Sequence, residues 1–546
     1  MDCFHNMIMS IQKESTILFS NDSQTIFVLD TPHSIAQAQT LSSHQLPSHA
    51  RSSGESEPVA GEENKHARKT YLLSTTPLEA PYPSTTEPKT DSARAKVLAR
   101  IPESERVFHA AITPLVQHAL GVIREQFVSS GSRWCLPRHI NEKISNMCVK
   151  TDSEIRDSAS VSTSKKRPRT DSVYQEDLAH RIKACDVSSL YESELGLEAP
   201  LILSSSSPNL FSSMSELDTI VKNPSCEPAT LLVSPRDETL VSPLTEYTIP
   251  PRSTFILCDL PLSTPTEYER TLGIIPSMPE DQRFNLFLFD PPWPNKSVRR
   301  SRHYQTHPYA EMDLLTQCLA VILHAHAYEA TSPPTISQGP STTQFQTQDS
   351  IAAIWITNAE KARRAAYNIL STSGFHVCEE WIWIKVTTTG EPICPVDALW
   401  RKPYEILVIG RRDHNVTNQY CSSFHSSSAA WNNMQAQAQA DGGAPFGTNS
   451  EPDFQTLPPT GKNITRRVIA AVPDIHSRKP NLRELFERIF FQDMVSSPSS
   501  HAQGQDQDRA RPYTALEVFA RNLTAGWWAC GNEVLKFNDR KCWVDE

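Results

Sequence analysis

The chain reads as an α/β protein, built on a mostly parallel sheet with helices on both faces. Apolar runs of strand length recur through its second half, and stretches of helical periodicity separate them. The runs are also apolar at nearly every position instead of alternate ones, which is the pattern of strands buried on both faces.

The first runs are STFILCDL (253–260) and FNLFLFD (284–290), each with an aspartate at or beside its end. IAAIWIT (351–357), HVCEEWIWIKV (376–386), YEILVIG (404–410), VIAAV (468–472) and ALEVFA (515–520) follow, rich in Val, Ile, Phe and Trp. Between them AEMDLLTQCLAVILHAHAYEA, NAEKARRAAYNILST and NLRELFERIF space their apolar residues as helices do. Two polar inserts, 330–349 and 415–460, interrupt the pattern, and their Gln, Ala and Ser bias favours disorder.

The first half differs. Residues 1–95 read as a largely disordered N-terminal region, since SSHQLPSHARSSGESEPVAGEEN and its surroundings offer little apolar surface to offset ordering entropy. Over 96–150 a small helical region is expected, with Phe108, Ile112, Leu115, Val116, Leu120, Val122, Ile123 and Phe127 at mostly helical spacings. Residues 151–250 read as a mostly disordered linker carrying KKRPR at 165–169, either a nuclear-import signal or a solvated basic run. The remaining domain spans 251–540.

Composition agrees with a core diluted by polar segments: 38 % of residues are apolar, and 41 prolines stand against 17 glycines. A formal charge of −10 excludes a uniformly basic nucleic-acid binder but leaves room for a local basic groove. The 12 cysteines include no C-x-x-C pair, so no zinc ribbon or metal site is indicated and free thiols are expected. Neither a secretory leader nor a membrane span is expected, which suits an intracellular chain that is not secreted.

FNLFLFD runs directly into Pro291, Pro292 and Trp293, placing an acid and two prolines where a buried strand leaves the sheet. Ligands of open α/β sheets bind outside the carboxyl ends of the strands, so this is a candidate site. The prolines fix φ and donate no hydrogen bond, making a stiff loop. The same tetrapeptide also fits a structural strand-ending Asp with a Pro-Pro turn.

FNLFLFDPPWPNKSVRRSRHY, IWITNAEK, EEWIWIKVTTTGEPICPVD, KPYEILVIGRR, HSRKPNLRELFE and LEVFARNLTAGWWACGNEVLKF together resemble the MT-A family of N6-adenine methyltransferases, most closely its methyltransferase-like-four branch. With FILCDL these stretches cover about 253–538, inserts apart. The resemblance implies a Rossmann-like S-adenosylmethionine-dependent methyltransferase fold with permuted motif order, the catalytic loop preceding much of the cofactor loop. That accounts for an α/β chain with no early G-x-G-x-x-G. It implies catalysis by Asp290, Pro291, Pro292 and Trp293. S-adenosyl-L-methionine would be held by Asp259, Leu260, Asp290, Lys479, Arg521, Asn522, Asn532 and Glu533. Asn295, Lys296, Arg299, Arg300 and Tyr304 would form a substrate loop.

The chemistry suits such a target. Adenine N6 is a poor nucleophile because its lone pair is delocalised into the ring; Asp290 and the Pro291 carbonyl can accept its two hydrogens. Trp293 offers a face on which a base could stack. The tryptophans at 381, 383, 527 and 528 suit core packing better than base stacking. The expected partner is RNA (such as small nuclear RNA) or DNA with its adenine single-stranded or flipped. A protein partner stays open, and nuclear residence fits KKRPR and the family. The alternative is a non-catalytic nucleic-acid-binding subunit of a methyltransferase complex.

Overall fold

The computed structural model describes residues 15–41, 70–83, 87–140, 199–234, 244–260, 275–293, 312–328, 350–399, 401–412, 464–475, 478–492 and 513–545. Twelve strands form one sheet. In chain order they are β1 (Ile17–Ser20), β2 (Ile26–Leu29), β3 (Leu201–Ile202), β4 (Ile220–Lys222), β5 (Thr254–Ile256) and β6 (Leu286–Phe289). Then come β7 (Ile351–Ile356), β8 (Phe375–Lys385), β9 (Tyr404–Arg412), β10 (Thr465–Ala471), β11 (Ala515–Val518) and β12 (Trp528–Cys530).

Across the sheet the order is β1-β2-β10-β8-β9-β7-β6-β11-β12-β5-β4-β3. From β10 to β5 all neighbours are parallel except at β9, which is antiparallel to both β7 and β8. The carboxyl ends of β5, β6, β7, β8, β11 and β12 therefore share one edge, where β9 begins. Each apolar run picked out from the sequence becomes a strand of this sheet.

Six α-helices are described: α1 (Thr31–Gln37), α2 (Asp91–Leu98), α3 (Glu103–Gln126), α4 (Met312–His326), α5 (Glu360–Thr372) and α6 (Arg483–Phe490). Strand residues alternate between two cores. Phe287, Phe289, Ile354 and Val518 face one cluster with Ile112 and Val116 of α3, Leu319 and Ile322 of α4 and Ile369 of α5. Leu286, Leu288, Trp355, Trp381 and Trp383 face the other, with Leu485 and Phe486 of α6. The spacing of Ile112, Val116, Leu120 and Ile123 puts one stripe of α3 against the sheet, and all four are buried. At about 1.5–3 kcal/mol per fully buried aliphatic side chain, that stripe fastens the N-terminal region to the domain.

Two sequence expectations need correction. Within the supposedly disordered first 95 residues, Ile26-Phe27-Val28-Leu29 is a fully buried strand, and β2 runs parallel to β10 inside the sheet. Four consecutive apolar residues were enough for an inner strand position despite the polar flanks. Within the supposed 151–250 linker, β3 and β4 extend the other side of the sheet, and Asn209–Phe211, Ala229–Val233 and Thr245–Ile249 form a small separate sheet. Leu231, Val233 and Ile249 are buried there, each contributed by a short strand that composition averages away. KKRPR and the inserts at 330–349 and 415–460 lie outside the described residues.

Trp381, Trp383 and Trp527 are core residues, and Trp528 packs edge-on against Phe284 at 5.8 Å, as the packing reading expected. Among the described residues, no helix is long and apolar enough to cross a membrane.

Candidate active site

Strands β6 and β11 lie side by side in the middle of the sheet, with Phe289 opposite Val518. From β6 the chain proceeds through α4 to β7 on one side; from β11 it proceeds to β12 on the other. The loops after β6 and β11 thus diverge at a topological switch point, the place where open α/β sheets bind ligands. Asp290 begins the first loop, and its N–H donates to the Val518 carbonyl at 3.2 Å. The second loop starts with Phe519 in the left-handed region, φ +61°, where a bulky side chain is rare. The Ala520 N–H then donates to the Cys530 carbonyl at 3.2 Å. Gly531 makes this possible: its φ is +140°, and a Cβ there would meet Phe519 Cα at 3.1 Å.

Charges alternate along this edge. Lys385 at the end of β8 meets Glu405 at 2.5 Å, and Glu405 meets Lys479 at 3.5 Å. Lys479 meets Asp290 at 2.6 Å, and Asp290 meets Arg521 at 3.6 Å. Arg521 Nε meets Glu533 at 3.1 Å, and Glu533 meets Lys536 at 2.7 Å. Beyond them Asn532 Nδ2 donates to the exposed Asp259 carboxylate at 2.9 Å, joining the ends of β12 and β5. Lys385 and Lys479 also lie over the Trp383 and Trp355 rings, at 4.7 and 5.4 Å.

These partners shift the titrations. Burial pushes the Glu405 carboxyl up, but Lys385 and Lys479 outweigh it and hold it at about 2. Burial lowers Lys479, yet Asp290 and Glu405 more than reverse this and raise it. Glu517, half-buried on β11, is pushed up to about 8, first by burial and then by the neighbouring Asp290 carboxylate. The site therefore sets one proton-holding carboxyl beside an acid paired with two cations.

The tetrapeptide departs from expectation at its last residue. Trp293 is only 4 % exposed, and its Nε1 donates to the Trp355 carbonyl at 2.6 Å. Its ring is thus part of the core and unavailable as a base platform; it ties the loop to β7. The Pro291 carbonyl accepts the Trp293 N–H at 2.8 Å, which uses one of its two lone-pair directions.

Of the sequence-predicted residues, Asp290, Lys479 and Arg521 come into direct contact, with Glu533 one step further. Asn522 follows half-buried, and Leu260 is buried beside Asp259. Asn295, Lys296, Arg299, Arg300 and Tyr304 lie outside the described residues. Sequence reasoning missed Lys385, Glu405, Glu517 and Lys536. Glu517 stood in plain view as the polar residue of an otherwise apolar strand. Glu405 did not, because only the reversed direction of β9 brings the start of that strand to the carboxyl edge.

A Rossmann-like α/β sheet with an acidic loop at its switch point and a second polar loop beside it has the ligand-binding arrangement of open α/β folds. The MT-A70 family model matches residues 339–437. The chain is 31 % identical over 267 residues to the N6-methyladenosine RNA methyltransferase MTA1 of Cryphonectria parasitica, covering 48 % of this chain and 55 % of that protein. It is 28 % identical over 295 residues to the N(6)-adenine-specific methyltransferase METTL4 of Homo sapiens, covering 54 % and 44 %. With a DNA N6-methyl methyltransferase of Caenorhabditis elegans it shares 28 % over 169 residues, covering 31 % and 36 %. The chain spans about half the length of the first two relatives.

Proposed function

We propose that this chain is an S-adenosylmethionine-dependent methyltransferase acting on the exocyclic N6 amine of adenine in RNA or DNA. The observation that carries the reading is Asp290, at the carboxyl end of β6 and in contact with Lys479 and Arg521. The residues of the edge suit the cofactor. Glu533 is an acceptor for a ribose diol, Lys479 and Arg521 are donors for a carboxylate, and Asp259 with Leu260 flanks the place for an adenine. When bound, S-adenosylmethionine supplies an electrophilic methyl group.

The protein's part is positioning and electrostatics, with no covalent protein intermediate. Asp290 Oδ accepts one N6 hydrogen and the free lone pair of the Pro291 carbonyl accepts the other. The nitrogen lone pair is thereby drawn out of conjugation and aimed at the methyl group. The surplus N6 proton then sits against the Asp290 carboxylate, from which water can take it. Buried inside a duplex, N6 would be out of reach, so the adenine is single-stranded or flipped. KKRPR at 165–169 supports work in the nucleus.

The test is transfer from labelled S-adenosylmethionine to oligonucleotides that contain or lack adenine, with calorimetric titration of the cofactor alongside. Adenine-dependent transfer with saturable cofactor binding is expected. Folded protein that binds no cofactor would overturn the reading.

A further inference from the structure

Helix α2 has an arrangement that packing does not explain. None of its eight residues is buried. Isolated helices this short are marginal in water, and most helical stability in proteins comes from a packed face. This one is held by its ends. Before it, the Glu87 carboxylate accepts the Leu399 N–H at 3.1 and 3.2 Å, on the loop between β8 and β9. After it, Ser104 Oγ donates to Glu360 at 2.5 Å, and Arg363 donates to the Ser104 carbonyl at 3.3 Å, just past the end of β7. One turn on, His109 Nδ1 and the Tyr404 hydroxyl lie 2.7 Å apart. Tyr404 adjoins Glu405, which reaches Asp290 through Lys479. Residues 88–103 are thus a strap tied at both ends to the rim of the candidate active site.

The strap is basic. Residues 88–103 contain Lys89, Arg94, Lys96 and Arg100 against two acids, Asp91 and Glu103, in a chain whose formal charge is −10. Lys89, Lys96 and Arg100 are exposed and Arg94 is half-exposed. Among the described residues none of the four is ion-paired, whereas the cations of the catalytic edge are. Flanking acids are engaged: Glu87 with Leu399, and Glu105 with the Glu360 backbone. Thr90 caps the helix by accepting the Ala93 N–H, and Lys96 in the last turn complements the helix dipole, so the segment holds its shape without a core.

We propose that this strap is a phosphate-tracking element, gripping the backbone of the single-stranded nucleic acid whose adenine enters at Asp290. The inference rests on the proposed function and deepens it by assigning substrate contacts to the N-terminal region. Freely hydrated cations on a rigid strap beside the site meet phosphates without first breaking internal ion pairs.

The test is fluorescence anisotropy of a labelled single-stranded oligonucleotide across a salt series, comparing the full chain with the K89Q/R94Q/K96Q/R100Q variant. Gln preserves helix propensity and no buried contact changes, so the variant should keep its cofactor affinity. Removing four phosphate contacts from a single strand should flatten the log–log salt dependence by about 2–3. The KM for the oligonucleotide should rise with kcat unchanged at saturation. Lys541→Gln, an exposed cation outside the strap, should change neither. Wild-type binding with an unaltered slope and KM in the fourfold variant would overturn the proposal. Failure of the wild-type chain to bind the oligonucleotide at all would instead refute the proposed function.

Discussion

The contact between Lys479 and Asp290 can be measured by a double-mutant cycle with Lys479→Met and Asp290→Asn. The pair is 2.6 Å apart, and the two side chains are only 16 % and 17 % exposed. At an effective dielectric near 20, two unit charges at that separation attract by about 6 kcal/mol. Desolvation of both groups offsets much of this, and each keeps another partner: Arg521 at 3.6 Å for Asp290 and Glu405 at 3.5 Å for Lys479. Each single substitution should therefore cost about 3 kcal/mol, and the pair should share a coupling energy of about 2 kcal/mol. Urea unfolding of the four proteins, followed by tryptophan fluorescence, supplies the four midpoints at a common slope. Additivity within about 0.5 kcal/mol would show that the two charges do not stabilise one another, and the alternating chain would lose its central link.

Other consequences are equally direct. Glu517 has its carboxyl raised to about 8 from 4.5, so the stability its proton provides is complete below 4.5 and lost as pH climbs through 8. Thermal melts from pH 6 to 9 should show wild type falling relative to Glu517→Gln, by about 3 kcal/mol at most; parallel curves would contradict the shift. Glu405 behaves in the opposite sense: held at about 2, it contributes fully above 4.5 and loses its contribution as pH falls through 2. Glu405→Gln should accordingly be less stable than wild type at pH 7, by about 3 kcal/mol at most, with the gap closing in acid. At Gly390, φ is +77° and a Cβ would come within 2.1 Å of the Trp134 ring. Gly390→Ala should lower the unfolding midpoint by several degrees in calorimetry, because both the left-handed backbone and the N-terminal packing are disturbed.

Much of the domain was legible because its strands are buried on both faces and so cannot hide in composition. Phe287 and Phe289 face one core and Leu286 and Leu288 the other, which is why FNLFLFD stands out as an unbroken apolar run. The short strands were not legible. Leu201–Ile202 and Trp528–Cys530 gain their places from neighbours distant in sequence. Ile26–Leu29 was swamped by the polar residues around it. In the site, Asp290 could be found because it ends a run, and Lys479 and Arg521 because family motifs carry them. The electrostatic chain that links them needs strand directions, since Glu405 stands at the beginning of its strand and Asp290 just past the end of another. Trp293 shows the converse limit: its residue type suits base stacking, and only the fold reveals that its indole is spent on the Trp355 carbonyl.

The most direct measurement is nucleoside mass spectrometry of a single-stranded oligonucleotide containing one adenine, after incubation with S-adenosylmethionine and either wild type or Asp290→Ala. N6-methyladenine from the wild type alone, with cofactor binding retained by the variant, is the predicted result. Equal N6-methyladenine from Asp290→Ala, or a methyl group at another position of the base, would contradict the role assigned to the switch-point aspartate.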